Sequence, residues 1–318
     1  MKNIYPNIYS SNLNNLKKAK KNLENNNIIG VPTETVYGLA GNAYSDQSVK
    51  KIFKLKKRPA YNPLIIHYRN LYDLSKDVII NANFIKLYKT LCPGPITFIL
   101  NKNKKCKISK RAMGGKKTIA VRIPSHKVIR KLLNILKFPL AAPSANISSK
   151  LSPTSAKDVL DEFGKKIKFI LDGGQCYFGI ESTIVDLTGS PTILRPGYIT
   201  SEKIGKIIKR KIKIKNKSKK IKAPGQLKFH YSPGIPVEMN KNYAKKNQAL
   251  IGFGNTFKNK KNHFNLSKSG SLKEAANNLY KTMRKIKKKK FKSIAVNKIP
   301  NKKIGYAIND RLVKASYK

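Results

Sequence analysis

The sequence predicts an α/β or α+β sheet domain followed by a smaller α/β domain. Short apolar runs of strand length alternate with segments of helical apolar spacing over residues 1–200. A Lys/Ile alternation breaks that pattern from about residue 201 to 222, and a second strand, helix and strand pattern follows it. These observations divide the chain into a sheet domain at 1–200, a linker at 201–234 and a small basic domain at 235–318.

Taken in order, Leu13, Leu16, Ala19 and Leu23 recur at helical spacing, and Ile28 to Val31 form an apolar strand that stops at Pro32. Helical spacing returns at Val49, Ile52, Phe53 and Leu55. Strand-like runs follow at Leu64–His67, Thr97–Leu100, Ile119–Ile123, Leu140–Ala142, Phe169–Leu171 and Thr183–Leu187. Beyond Ala223, Pro224 and Gly225, a strand-like run from Gln248 to Phe253 ends at Gly254. Leu272, Ala275, Ala276, Leu279 and Met283 then read as a helix and Ser293–Val296 as a strand. No internal repeat is present.

The 318 residues carry 68 Lys and Arg against 15 Asp and Glu, a formal charge of +53, while 40% are hydrophobic, enough for a packed core. Nine of the cations are Arg, and Lys, Asn and Ile all abound, which is what an AT-biased genome writes whatever the function. Residues 201–318 hold 34 basic and 4 acidic side chains, so this part attracts polyanions such as RNA by counterion release whether or not binding is its purpose. A solvated Lys-rich face, with the run Lys285 to Lys290 broken only by Ile286, is favoured over a dedicated nucleic-acid surface, and a reduced second domain is the expectation.

Cys92, Cys106 and Cys176 form no close-spaced pair, which speaks against a zinc knuckle or a disulfide framework. No run approaches the roughly 18 apolar residues that would cross a bilayer, and no signal peptide opens the chain, so a cytoplasmic protein without membrane contact is expected. Neither standard glycine cradle for phosphate occurs.

The polar clusters beside strand ends carry the chemistry. Pro32-Thr-Glu-Thr-Val-Tyr-Gly38 places hydroxyls and a carboxylate directly after a strand, where α/β folds commonly meet ligands. Lys54, Lys56, Lys57 and Arg58 gather cations at a helix end, which could simply answer the helix dipole. Pro59 and Pro63 stiffen the segment that follows, and a rigid cationic loop is what a triphosphate site without a P-loop needs. Small and hydroxyl residues from Ala141 to Thr154 let a ligand approach the backbone, and Gly179 to Asp186 with Arg195-Pro196-Gly197 completes the set.

In their order and spacing these segments resemble the threonylcarbamoyl-AMP synthase family, the YrdC-like proteins, in the two-domain form. Matching stretches are Pro32–Gly41, Lys56 and Arg58 with Asn62-Pro63-Leu64, Val121–Pro124, Ala142–Asn146, Ser152–Thr154, Gly179–Asp186 and Leu194–Gly197. The likeness returns at Ala223-Pro224-Gly225 and His230-Tyr231-Ser232-Pro233 and thins beyond 240. Ser149 and Gln175 depart from it, standing where Gly and Pro are usual.

The resemblance implies a strongly twisted, open mixed sheet with a basic concavity, closed by the linker. It implies an enzyme that joins L-threonine, bicarbonate or CO2, and ATP into threonylcarbamoyl-AMP, releasing pyrophosphate, for the tRNA threonylcarbamoyladenosine modification. Magnesium would accompany ATP, a separate tRNA threonylcarbamoyl transferase machinery would take the product, and direct tRNA contact is a further candidate. Carried over, Lys56 and Arg58 are the catalytic cations, and Thr35, His67, Arg122, Ala142 and Ser182 the threonine positions. Arg58, Asn62, Thr118, Ser144, Asn146, Ser152, Arg195 and Tyr231 resemble the ATP contacts. The rival readings are a non-catalytic RNA-binding module and a carbamoyl-transfer enzyme. Retained Thr35 and Ser182 speak against the first, because phosphate binding alone needs only positive charge.

Overall fold

The computed structural model describes residues 5, 7–215, 221–255 and 261–317. Its first domain runs β1 (Ile8–Ser10), α1 (Leu13–Glu24), β2 (Ile29–Val31), β3 (Gly38–Asn42), α2 (Asp46–Lys56), β4 (Ile65–His67), α3 (Leu71–Ser75), α4 (Ala82–Leu91) and β5 (Ile96–Asn101). It continues through β6 (Thr118–Arg122), α5 (Lys127–Ile135), β7 (Leu140–Ala141), α6 (Ala156–Phe163), β8 (Ile170–Asp172), β9 (Thr183–Asp186), β10 (Thr192–Arg195), α7 (Ser201–Ile208) and β11 (Lys213–Ile214).

These strands form one mixed sheet in the order β1-β8-β2-β3-β7-β4-β6-β5-β9-β10-β11. The central strands are short and buried on both faces, and alternate residues point to opposite sides. Ile170 thus joins the core beneath α2, α4 and α6, while its neighbour Leu171 joins the one beneath α1 and α5. Helix starts follow local chemistry: Asn12, Ser45, Asn81 and Ser155 each accept a backbone N–H of the first turn. In α1 the buried stripe is Leu16, Ala19 and Leu23, whereas Leu13 is exposed.

The structure moves one expected boundary. Residues 201–214 are part of the first domain, not of a linker: Thr200 caps α7, Ile204, Ile208 and Ile212 enter the sheet's core, and β11 pairs in parallel with β10. Lysines alternating with isoleucines hid an amphipathic helix. Residues 216–220 of the expected linker lie outside the described residues.

The second domain is also better formed than its composition suggests. Its elements are β12 (Val237–Glu238), β13 (Gln248–Gly252), β14 (His263–Asn265), α8 (Leu272–Lys288), β15 (Ser293–Val296) and α9 (Gly305–Ser316). The parallel sheet β12-β15-β13-β14 packs Ala249, Ile251, Ile294 and Val296 against Leu279 and Met283 of α8 and Ile308 and Leu312 of α9. Val36, Leu151 and Ile180 of the first domain belong to the same apolar cluster, so the two domains share a core.

Candidate active site

Parallel strands β4 and β6 are adjacent and in register, pairing His67 with Arg122 at their C-terminal ends. That edge of an α/β sheet is where ligands bind. The β2–β3 loop faces them. Thr33 Oγ1 takes the N–H groups of Thr35 and Val36 and donates to the Val36 carbonyl, which folds the loop and presents the Thr35 hydroxyl 3.0 Å from Arg122 Nη1. Arg122 Nη2 lies 2.7 Å from Glu34 Oε1, and both side chains are buried, so the charges are paired as burial demands. Arg122 Nε has no hydrogen-bond partner among the described residues.

His67 is buried, and neither ring nitrogen completes a hydrogen bond among the described residues. Burial first, and then the Arg122 charge, push its pKa down to about 3. The imidazole is therefore neutral at physiological pH, able to donate one hydrogen bond and accept another, but too weakly basic to take up a further proton.

Arg58 and Arg195 give the cavity a cationic wall. Arg58 follows α2, whose last cap, Lys57, turns the chain left-handed. Arg58 spends Nε and Nη2 on Asn62 and on the Pro63 carbonyl at 2.6–2.9 Å and turns toward the cavity. Arg195, ending β10, grips Ser182 through its carbonyl and hydroxyl, both at 3.0 Å. Burial, then the neighbouring Arg195, lowers Arg58 to about 9, so it stays charged at neutral pH.

The cavity is lined by eight of the residues expected from the sequence: Thr35, Arg58, His67, Arg122, Ala142, Ser144, Arg195 and Tyr231. Pro224, Gly225, His230 and Tyr231 of the connection roof it. The remaining expected residues sit behind this wall. Lys56 is buried with its ammonium on the carbonyls of Ser144 and Asn146, so it shapes the loop and does not face the cavity. Asn62 orients Arg58, and the Asn146 amide ties down Ile147 and Lys150. Ser182 shares its hydroxyl with Thr97 and Arg195, and Ser152 donates to Glu181. Thr118 opens β6 two residues before Ala120, the partner of Ile65, which puts it beside Pro63 and outside the cavity lining.

Residues 21–197 match the Sua5/YciO/YrdC family model, described as telomere recombination, and residues 199–316 match that of the threonylcarbamoyl-AMP synthase C-terminal domain. The chain belongs to the threonylcarbamoyl-AMP synthase family. The Pyrococcus abyssi threonylcarbamoyl-AMP synthase is 38% identical over 313 residues, covering 91% of this chain and 90% of that protein. The Bacillus subtilis threonylcarbamoyl-AMP synthase is 33% identical over 332 residues, covering 96% and 94%. The crystal structure of P. abyssi Sua5 complexed with L-threonine superposes with a TM-score of 0.88 at 34% identity, over 98% of this chain and 97% of that one.

Within this threonylcarbamoyl-AMP synthase fold, the sequence analysis singled out the Gly179–Asp186 segment but gave Glu181 no place in the site and missed its partners. Glu181 borders the cavity, and its partners Tyr280 and Arg311 come from the second domain, at 3.0 and 3.1 Å. Burial alone would raise the Glu181 carboxyl, but Arg311, Arg195 and the Ser152 hydroxyl outweigh it and hold the pKa at about 2. The signal for α9 was legible: Ile304, Ile308, Leu312 and Ala315 recur at helical spacing.

Proposed function

We propose that the chain makes threonylcarbamoyl-AMP and pyrophosphate from L-threonine, ATP and bicarbonate or CO2, as the names of its relatives indicate. The observation that carries this reading is the roofed cavity that gathers Thr35, His67 and Arg122 together with Arg58 and Arg195. One side suits an amino acid. Arg122, whose Nε and Nη2 complete no hydrogen bond among the described residues, can donate to a carboxylate, and neutral His67 and the Thr35 hydroxyl suit polar neutral groups. The other side suits phosphates.

The chemistry asks little covalent help of the protein. The amine of threonine adds to CO2 and gives up a proton, leaving a carbamate anion. A carbamate oxygen bonds to the α-phosphorus as the bond to the bridging oxygen of the β-phosphate breaks, and pyrophosphate departs with that electron pair. Positioning and neutralisation of the charge growing on the phosphates provide the rate, and Arg58 and Arg195 are placed to supply the second. The roof keeps water from a carbamate and a mixed anhydride that it would destroy. Glu181, the cavity's carboxylate, is already committed to Arg311, so magnesium belongs to this reading as part of the MgATP substrate. The product then passes to a separate transferase acting on tRNA in the cytoplasm.

The test is mass-spectrometric detection of threonylcarbamoyl-AMP from purified protein, ATP, magnesium, bicarbonate and L-threonine. Product should require threonine and fall on the order of 100-fold or more with Arg58→Ala. Folded, ATP-binding protein that yields no product would sink the reading and favour RNA binding without catalysis.

A further inference from the structure

The cavity lining comes entirely from residues 33–231, yet the connection that roofs it is fastened from the second domain. A single residue of α9 does most of this. Lys314 donates its ammonium to the Gly225 carbonyl at 2.7 Å, and its own carbonyl accepts the His230 N–H at 3.2 Å. It thereby holds the roof at both ends of the 225–230 segment. Lys314 is buried, so its charge needs compensation, and Asp310 Oδ1 supplies it at 2.7 Å. Asp310 Oδ2 takes Arg311 Nη1 at 3.0 Å, and Arg311 Nε reaches Glu181. Arg311 also donates to the Pro196 carbonyl, next to Arg195, and its guanidinium lies 5.2 Å from the centre of the Tyr231 ring. Cavity wall, α9 and roof form one buried chain of charged hydrogen bonds. Arg311 Nη2 completes no hydrogen bond among the described residues, but the chain's paired charges make it costly to break at one point.

We infer that Lys314 is a positioning residue for the reaction: it clasps the roof segment 223–231 over the substrates from the second domain. This rests on the reading of the cavity as a threonylcarbamoyl-AMP synthase site. The second domain then serves catalysis without touching a substrate, because a roof held from the first domain only through Ser149 at Phe229 and Ser232 would open more often. A clasp contributes to holding substrates before and during reaction alike, so its loss raises KM more than it lowers kcat.

The test compares wild type with Lys314→Met and Lys314→Arg in hydrogen exchange and steady-state kinetics. Exchange in the 223–232 peptide should quicken about tenfold in Lys314→Met, as expected for losing a hydrogen bond to a charged donor, while peptides of β13 and β15 keep wild-type rates. KM for L-threonine should rise by about the same factor with kcat little changed, and Lys314→Arg, which restores a charged donor, should recover both. If Lys314→Met does not fold, Lys314→Gln takes its place, with exchange between wild type and the value above. Unchanged exchange in the roof overturns the proposal, and so does exchange that rises equally in roof, β13 and β15, since that is general loosening. Should wild type make no threonylcarbamoyl-AMP while roof protection still depends on Lys314, the functional reading fails and the clasp stands.

Discussion

Glu181 marks the point where site and second domain meet, and its charge, with the neutral state of two buried histidines, sets an acid limit on stability. His67 and His230 have pKa values of about 3 in the folded chain against 6.5 for an ordinary histidine, chiefly through burial. The unfolded chain takes up protons that these rings refuse, so unfolding becomes easier as pH falls below 6.5 and continues to do so down to about 3. The Glu181 carboxylate stabilises fully above 4.5 and loses that effect as pH falls toward 2, so all three groups act in one direction. Urea midpoints should therefore decline steadily between about pH 7 and pH 4, and His230→Gln should flatten the upper part of that slope. A midpoint that ignores pH across this range would contradict the buried neutral rings. Gly225 gives a second test. Its φ is +85°, and an added Cβ would lie 2.8 Å from Arg195 Cδ and 2.9 Å from Tyr231 Oη. Gly225→Ala should cost about tenfold or more in kcat/KM, read from pyrophosphate release, because both the backbone and the cavity-lining Arg195 must shift. Ser149 shows the same constraint from the other side. It adopts φ +68° without being glycine, and it accepts the Ser232 N–H that anchors the end of the roof.

At the scale of elements, most strands were legible because apolar runs such as Leu64–His67 and Thr183–Leu187 are short and sharply bounded. β3 was not, since Gly-Leu-Ala-Gly-Asn lacks β-branched residues and forms a strand only by pairing with β2 and β7. The Lys/Ile stretch was misread for a different reason: lysine stems cover a surface while isoleucines at 204, 208 and 212 turn inward, so a helix and a strand look like low complexity. Ile204→Ala should destabilise the first domain by about 2–4 kcal/mol in urea unfolding, the usual range for a fully buried isoleucine. A cost near zero would restore the connector reading of residues 201–214.

For the whole molecule, the formal charge of +53 is the largest electrostatic fact and carries little information about specificity. The lysines that decide structure are few and buried, such as Lys56 and Lys314, while α8 ends in exposed lysines at 285, 287 and 288. Binding to unrelated RNAs should therefore be indistinguishable at low salt and fall steeply together between about 50 and 200 mM. A preference for tRNA that survives the higher salt would turn this face into a working interface. Among the described residues no helix is long and apolar enough to cross a membrane.

By itself the sequence determined the fold class, the family and the segments that build the cavity, because strand-end motifs are local and their order along the chain is specific. What tertiary structure alone decided was which polar residues face the cavity and which stand behind it, as Arg58 and Lys56 show from neighbouring positions. It also decided that Arg311 of α9, more than 100 residues from Glu181 in the chain, pairs with that carboxylate at the cavity's edge. Side-chain direction and long-range ion pairing depend on how the sheet packs, and a buried charge reveals its partner only when folding has brought the two together.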